Sequence, residues 1–262
     1  MLTFRTLGLL EVTRDGRPVT PTAPKVRQML ALLLARRNTL VSISAIAGEL
    51  WERTPPRSAT ATVQTYVYQL RKLLQSDSET AAGTGPLVTR ATGYILRVAP
   101  GDYDAEEFER LTVQARSAIE AGDSRTATER LQAALAWWSG QPFADIGQGP
   151  CLQAYALRLE ELHMHALELR ITAGIGLGLH RELVPELKEL ASTYPLHEWF
   201  QGGLIIALQR CGRSSEALQV YQRLRRLLRD ELGLEPSAGL QQIRQHVLMD
   251  RVTTADLSLL PG

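Results

Sequence analysis

Between Ser58 and Gln75 the sequence reads SATATVQTYVYQLRKLLQ. At the helical repeat, Gln64, Thr65, Tyr68 and Gln69 share one side, and Arg71 and Lys72 follow them. A carboxamide offers a donor beside an acceptor, the pattern that matches the exposed edge of adenine, and a threonine methyl packs on a thymine methyl. Arginine and lysine suit phosphate oxygens, contacts that position a protein without reading sequence. The stretch holds no acidic residue. Val63, Val67, Leu70 and Leu74 fall within an arc of about 60° at 100° per residue, so they form the buried stripe and leave the polar set facing outward. Short side chains near the start allow close approach, and the positive end of the helix dipole favours a phosphate. Taken alone, this face fits a solvated surface as well as it fits a major groove.

Three further features favour the groove. Arg90 stands beside the turn Ala91-Thr92-Gly93, placed for an adjacent minor groove. Lys25, Arg27, Arg36, Arg37 and Arg57 add cations nearby. Residues 1–98 carry 13 Lys/Arg against 6 Asp/Glu, whereas residues 99–262 carry 16 against 22. A basic first third and an acidic remainder predict two bodies, the first with a polyanion as partner. Tyr66 lies at the edge of the apolar stripe and fits either packing or a phosphate contact through its hydroxyl. Trp51 is expected to pack, with its indole N–H as an additional phosphate donor.

These side chains need a scaffold, and the flanking sequence predicts one. LTFRTLGLLEVTRDGRPVT alternates, and its Asp15-Gly16 is a strong hairpin signal, so a small antiparallel sheet opens the chain. TAPKVRQMLALLLARRN reads as a helix capped by Thr20 or Thr22, and SISAIAGELW as a second capped by Ser42 or Ser44. Thr54-Pro55-Pro56-Arg57 breaks the chain, and Ser58 is positioned to cap the third helix. A polar loop from Ser76 to Pro86 leads to LVTRATGYILRV, a second hairpin. Sheet, three helices and hairpin assemble most compactly as a winged helix-turn-helix.

Pro100 and Gly101 mark a boundary near residues 99–103. Beyond it almost everything reads helical. Gly178 and Gly212 stand 34 residues apart, each followed at +5 by a small or apolar residue, Leu183 and Ala217. That is the period of tetratricopeptide (TPR) helix pairs, which stack because no pair can bury its apolar face alone. Gly122 starts a third, more distant unit. The expected fold is therefore mainly α: a winged-helix domain over 1–98, an all-α TPR-like domain over 104–250, and a tail over 251–262.

Enzyme signatures are absent. There is no Walker sequence and no G-x-S-x-G. GIGLGLH, Gly174 to His180, lacks a preceding strand and reads as close helix packing. His163 and His165 point in different directions on a helix and share no metal. Cys151 and Cys211 read as isolated free thiols. No catalytic residue, cofactor or metal is expected. No apolar run reaches the about 20 residues of a membrane span, and the N-terminus lacks the features of a secretory signal. A cytoplasmic, nucleoid-associated protein without membrane contact is the expectation.

ELWERTPPRSATATVQTYVYQLRKLL with LVTRATGYILRV resembles the winged-helix domain of OmpR-type response regulators. YPLHEWFQGGLIIALQRCGRSSEALQVYQRLRRLLRDELGLEP resembles the bacterial transcriptional activator domain. In tandem, over roughly residues 2–249, they resemble the SARP family, the Streptomyces antibiotic regulatory proteins, with DELGLEP (Asp230 to Pro236) the most specific element. The resemblance implies a transcription activator of secondary-metabolite genes. Such proteins bind direct repeats in promoters as a homodimer or as side-by-side protomers and recruit RNA polymerase through its sigma factor. It implies base contacts by Gln64, Thr65, Tyr68 and Gln69, phosphate contacts by Thr62, Tyr66, Arg71 and Thr92, and a minor-groove contact by Arg90. Many relatives carry arginine where this chain has Gln69, so an operator sequence does not transfer. No receiver domain precedes the winged helix, so phosphorylation control is not expected. A DNA-binding repressor and a TPR-like protein scaffold are the rival expectations.

Overall fold

The computed structural model describes residues 1–52, 54–75 and 85–260. Strands β1 (Leu2–Arg5), β2 (Glu11–Arg14) and β3 (Arg17–Pro18) precede helix α1 (Pro24–Ala35). A two-residue strand β4 (Val41–Ser42) leads into α2 (Ile43–Trp51) and α3 (Ala59–Leu74), and β5 (Leu87–Arg90) and β6 (Gly93–Leu96) form the second hairpin. Seven helices follow: α4 (Asp104–Glu120), α5 (Ser124–Leu135), α6 (Pro150–Gly176), α7 (His180–Thr193), α8 (Glu198–Arg210), α9 (Ser214–Leu232) and α10 (Ala238–Leu248). A 3₁₀ turn spans Thr254–Leu259. The chain is mainly helical with a winged helix-turn-helix at its start, as the sequence predicts. Of the polar loop expected from Ser76 to Pro86, residues 76–84 lie outside the described residues.

Packing gathers the chain into two compact units, Met1–Thr112 with Ala133–Met164, and Val113–Gln132 with the residues from His165 onward. Residues 104–112 and 133–164 thus belong with the winged helix in the first unit, a grouping the sequence division at 99–103 does not anticipate.

In the first unit, β1, β2 and β3 form an antiparallel sheet whose register pairs Arg14 with Arg17 across Asp15-Gly16. Both turn residues have positive φ, +49° and +77°, the type I′ geometry that matches strand twist. The second sheet runs β4-β6-β5. β4 has only two residues, too few for an alternating pattern, and its pairing with β6 is a tertiary event. α1 buries eight of its twelve residues, as a central helix does. The caps depart from expectation at two of three sites. Ser42 does accept from Ala45 N at 3.1 Å. But Ala23 is the N-cap of α1, ahead of Pro24, and Thr20 Oγ1 instead accepts from Val12 N. Proline's fixed φ starts that helix without a side-chain cap. Ser58 makes no capping bond either.

Two buried carboxylates close this unit. Asp104, 3% exposed, accepts from Thr6 N (2.7 Å), Leu7 N (2.9 Å) and Ala105 N (2.8 Å), with the Thr6 hydroxyl at 3.2 Å. Glu49 on α2, 2% exposed, accepts from Gly149 N and Cys151 N, both at 2.8 Å, and so caps α6. Charged acceptors suit the orphan N–H groups of a helix start.

His163 stacks on Trp138 with ring centroids 4.1 Å apart, and Trp138 meets Phe108 edge-on. Burial depresses the imidazole to about 4. The unfolded chain takes up this proton near pH 6.5, and the folded chain only near 4. The stability contributed by neutral His163 is therefore complete above 6.5 and is lost as pH falls through that window. Thermal unfolding followed across this range is expected to show the decline, with a shallower slope in His163→Gln. Equal slopes would contradict the assignment.

In the second unit α8 is buried along nearly its whole length, and α7, α9 and α10 pack around it. Gly233 ends α9 in the left-handed conformation (φ +67°), and Leu234 N reaches back to Leu228 O at 3.2 Å, closing a Schellman-type stop. Arg225 and Arg229 both bind Glu235, whose carboxyl they hold down at about 2. DELGLEP is thus a helix stop with an ionic latch. Residues 251–260 do not trail free: Asp256 accepts from Thr253 N and pairs with His246 Nδ1, both at 2.8 Å, and Val252 and Leu260 are buried.

Candidate nucleic-acid interface

α3 follows its predicted period. Val63, Val67, Leu70 and Leu74 are buried. Ala61, Gln64, Thr65, Tyr68, Gln69 and Lys72 are exposed, and Tyr68 reaches 70%. Thr62, Tyr66 and Arg71 are half-buried at the flanks. The hydroxyls of Thr62 and Thr65 donate to Ser58 O (3.0 Å) and Ala61 O (3.1 Å). Each hydroxyl is thereby fixed to its own helix and keeps its acceptor capacity. The first turn carries no acid and the last turn carries Arg71 and Lys72.

The wing stands beside this helix. Arg90 pairs with Gly93 across Ala91 and Thr92, a two-residue turn, and Arg90, Ala91 and Thr92 are exposed. Two contacts hold the tip. Ile43 N donates to Thr92 O at 3.1 Å, joining it to the start of α2. Gly93 lies against β4 so tightly that a Cβ there would sit 2.0 Å from Val41 O. Arg71 crosses from α3 to β5, with Nε and Nη2 donating to Leu87 O (3.2 and 3.1 Å) and Nη2 to Thr89 Oγ1 (2.7 Å).

Ahead of α3, Arg57 is exposed and Trp51 half-buried at the end of α2. Lys25 is half-buried on α1. Its ammonium donates to Leu50 O and to Gln28 Oε1 (3.1 Å), so it caps the end of α2 from within the fold. Other cations of the first third are also engaged internally. Arg27 pairs with Asp145, Arg36 donates to Cys151 Sγ (3.4 Å), and Arg37 pairs with Glu106 (3.4 Å) while lying over the Tyr103 ring. The segment's excess charge therefore overstates what faces outward. Arg57, Lys72 and Arg90 remain exposed without an acidic partner among the described residues. Cations, amides and an aromatic on a helix next to a cationic hairpin can grip a duplex by phosphate contact and base-edge hydrogen bonding together.

Residues 103–248 match the bacterial transcriptional activator domain, and residues 16–96 match the C-terminal domain of transcriptional regulatory proteins. The chain is 39% identical over 246 residues to the regulatory protein DnrI of Streptomyces peucetius, covering 92% of this chain and 90% of that one. It is 37% identical over 258 residues to the regulatory protein AfsR of Streptomyces coelicolor, covering 98% of this chain but 25% of AfsR. Mycobacterium tuberculosis EmbR, solved in complex with a low affinity phosphopeptide, superposes with a TM-score of 0.91 at 31% identity, covering 98% of this chain and 68% of that one. No helix among the described residues is long and apolar enough to cross a membrane.

Proposed function

The chain belongs to the SARP family of transcriptional regulators and is not an enzyme, and on that premise we propose that it binds promoter DNA and activates secondary-metabolite genes. One observation carries this reading: the exposed face of α3 is free of acid and lies beside the wing that presents Arg90. α3 enters a major groove. Gln64, Thr65, Tyr68 and Gln69 meet base edges, Thr62, Tyr66, Lys72 and Arg57 meet phosphates with Trp51 behind them, and Arg90 and Thr92 reach the adjacent minor groove. The proposal extends to direct-repeat promoters bound by a homodimer or by side-by-side protomers and to recruitment of RNA polymerase holoenzyme through its sigma factor, and the chain's likeness to the regulatory protein DnrI over most of both chains supports its transcriptional role. AfsR extends far beyond the matched span, so its whole-protein partners do not carry over.

Gln64→Ala is expected to cost about 1–3 kcal/mol at one base position and nothing on scrambled DNA. Lys72→Ala is expected to weaken matched and scrambled duplexes alike and to reduce the salt slope of log affinity by about 1. Fluorescence anisotropy titrations at several salt concentrations measure both. Failure of the wild-type protein to bind any duplex at low ionic strength would sink the proposal.

A further inference from the structure

We infer that Arg71 is a positioning residue for the wing, acting on DNA through Arg90 rather than through a phosphate of its own. The inference rests on the DNA-binding reading above. β5 is an edge strand, the last in the order β4-β6-β5, so one side of its backbone has no strand partner among the described residues. Arg71 covers that edge: three of its N–H donations go to Leu87 O and Thr89 Oγ1, two residues apart along β5. Only a planar fork spans both acceptors at once, whereas an ammonium is a point charge. Arg90 follows Thr89 directly and is exposed at the strand end, with only its own neighbour's carbonyl in reach among the described residues (Thr89 O, 3.4 Å). The direction in which Arg90 leaves the sheet is thus set one residue earlier, by the clamp. Lys72 contrasts with it, being exposed with no bonded partner among the described residues.

A double-mutant cycle with the full chain separates the two roles. A phosphate contact tolerates Arg71→Lys, because the charge stays, and adds to the loss from Arg90→Ala. A brace does neither. Arg90→Ala is expected to weaken binding about tenfold, an effect of one charged contact. Arg71→Lys should weaken it by a comparable factor, and the double variant little further, because both changes remove the same contact. The base-position effect of Gln64→Ala should persist in Arg71→Lys, since α3 still reads its groove. Wild-type affinity in Arg71→Lys, or a double variant near a hundredfold weaker, overturns the inference. If Arg71→Lys fails to fold, Thr89→Val removes one acceptor without touching any charge. It should give a partial loss that is absent in the Arg90→Ala background, and a full multiplicative loss overturns the inference equally. Absence of wild-type binding would instead overturn the DNA-binding reading itself.

Discussion

Asp104→Asn is expected to destabilise the first compact unit by about 2–5 kcal/mol, since each buried donor left without an acceptor costs about 1–3. The change replaces one oxygen by an NH₂ group. Both carboxylate oxygens already face donors: Oδ2 the backbone N–H groups of Thr6 and Leu7, and Oδ1 the N–H of Ala105 and the Thr6 hydroxyl. Whichever way the amide turns, its own donors meet other donors, and at 3% exposure no water relieves the conflict. Asn is nearly isosteric, so packing is preserved and the loss reports the hydrogen bonds. Urea unfolding gives the number. An unchanged midpoint would show that the carboxylate is dispensable.

Gly93→Ala is expected to detach the wing. A methyl there would lie 2.0 Å from Val41 O and 2.8 Å from the Ser42 Cα, both backbone atoms of β4. Neither can rotate away, so β4 and β6 must separate, at a cost of about 1–3 kcal/mol. The separation also strains the bond from Ile43 N to Thr92 O that fixes the tip. Stability should fall, and hydroxyl-radical footprints should lose the minor-groove protection at the wing while dimethyl sulfate protection of guanine N7 in the major groove persists. Retention of both protections at wild-type stability would contradict the packing described.

What the sequence reveals here is what depends on neighbours a few residues away. Asp15-Gly16 declares its turn because the backbone geometry needs those residue types. The buried stripe of α3 is legible because its period is local. The caps of α1 and α3 are not, since several hydroxyls compete for each helix start and Thr20 is taken by Val12 N instead. β4 escapes notice because two residues carry no alternation. The largest gap concerns the cations. Lys25 looks free in the sequence, yet it meets Leu50 O only once α1 and α2 cross. Arg27 finds Asp145, and Glu49 finds Gly149, across about a hundred residues of chain. Charge counted along a segment cannot distinguish a cation facing water from one spent on a remote carboxylate. On α3 the same test leaves Gln64, Thr65, Tyr68, Gln69 and Lys72 exposed, whereas Arg71 is spent on β5.

A fragment ending at residue 98 would strip Arg27, Arg36 and Arg37 of Asp145, Cys151, Glu106 and the Tyr103 ring. Three guanidinium groups without these partners would then adhere to heparin as readily as to a promoter. Shortened preparations would overstate affinity and understate selectivity, through charges that the intact chain keeps to itself.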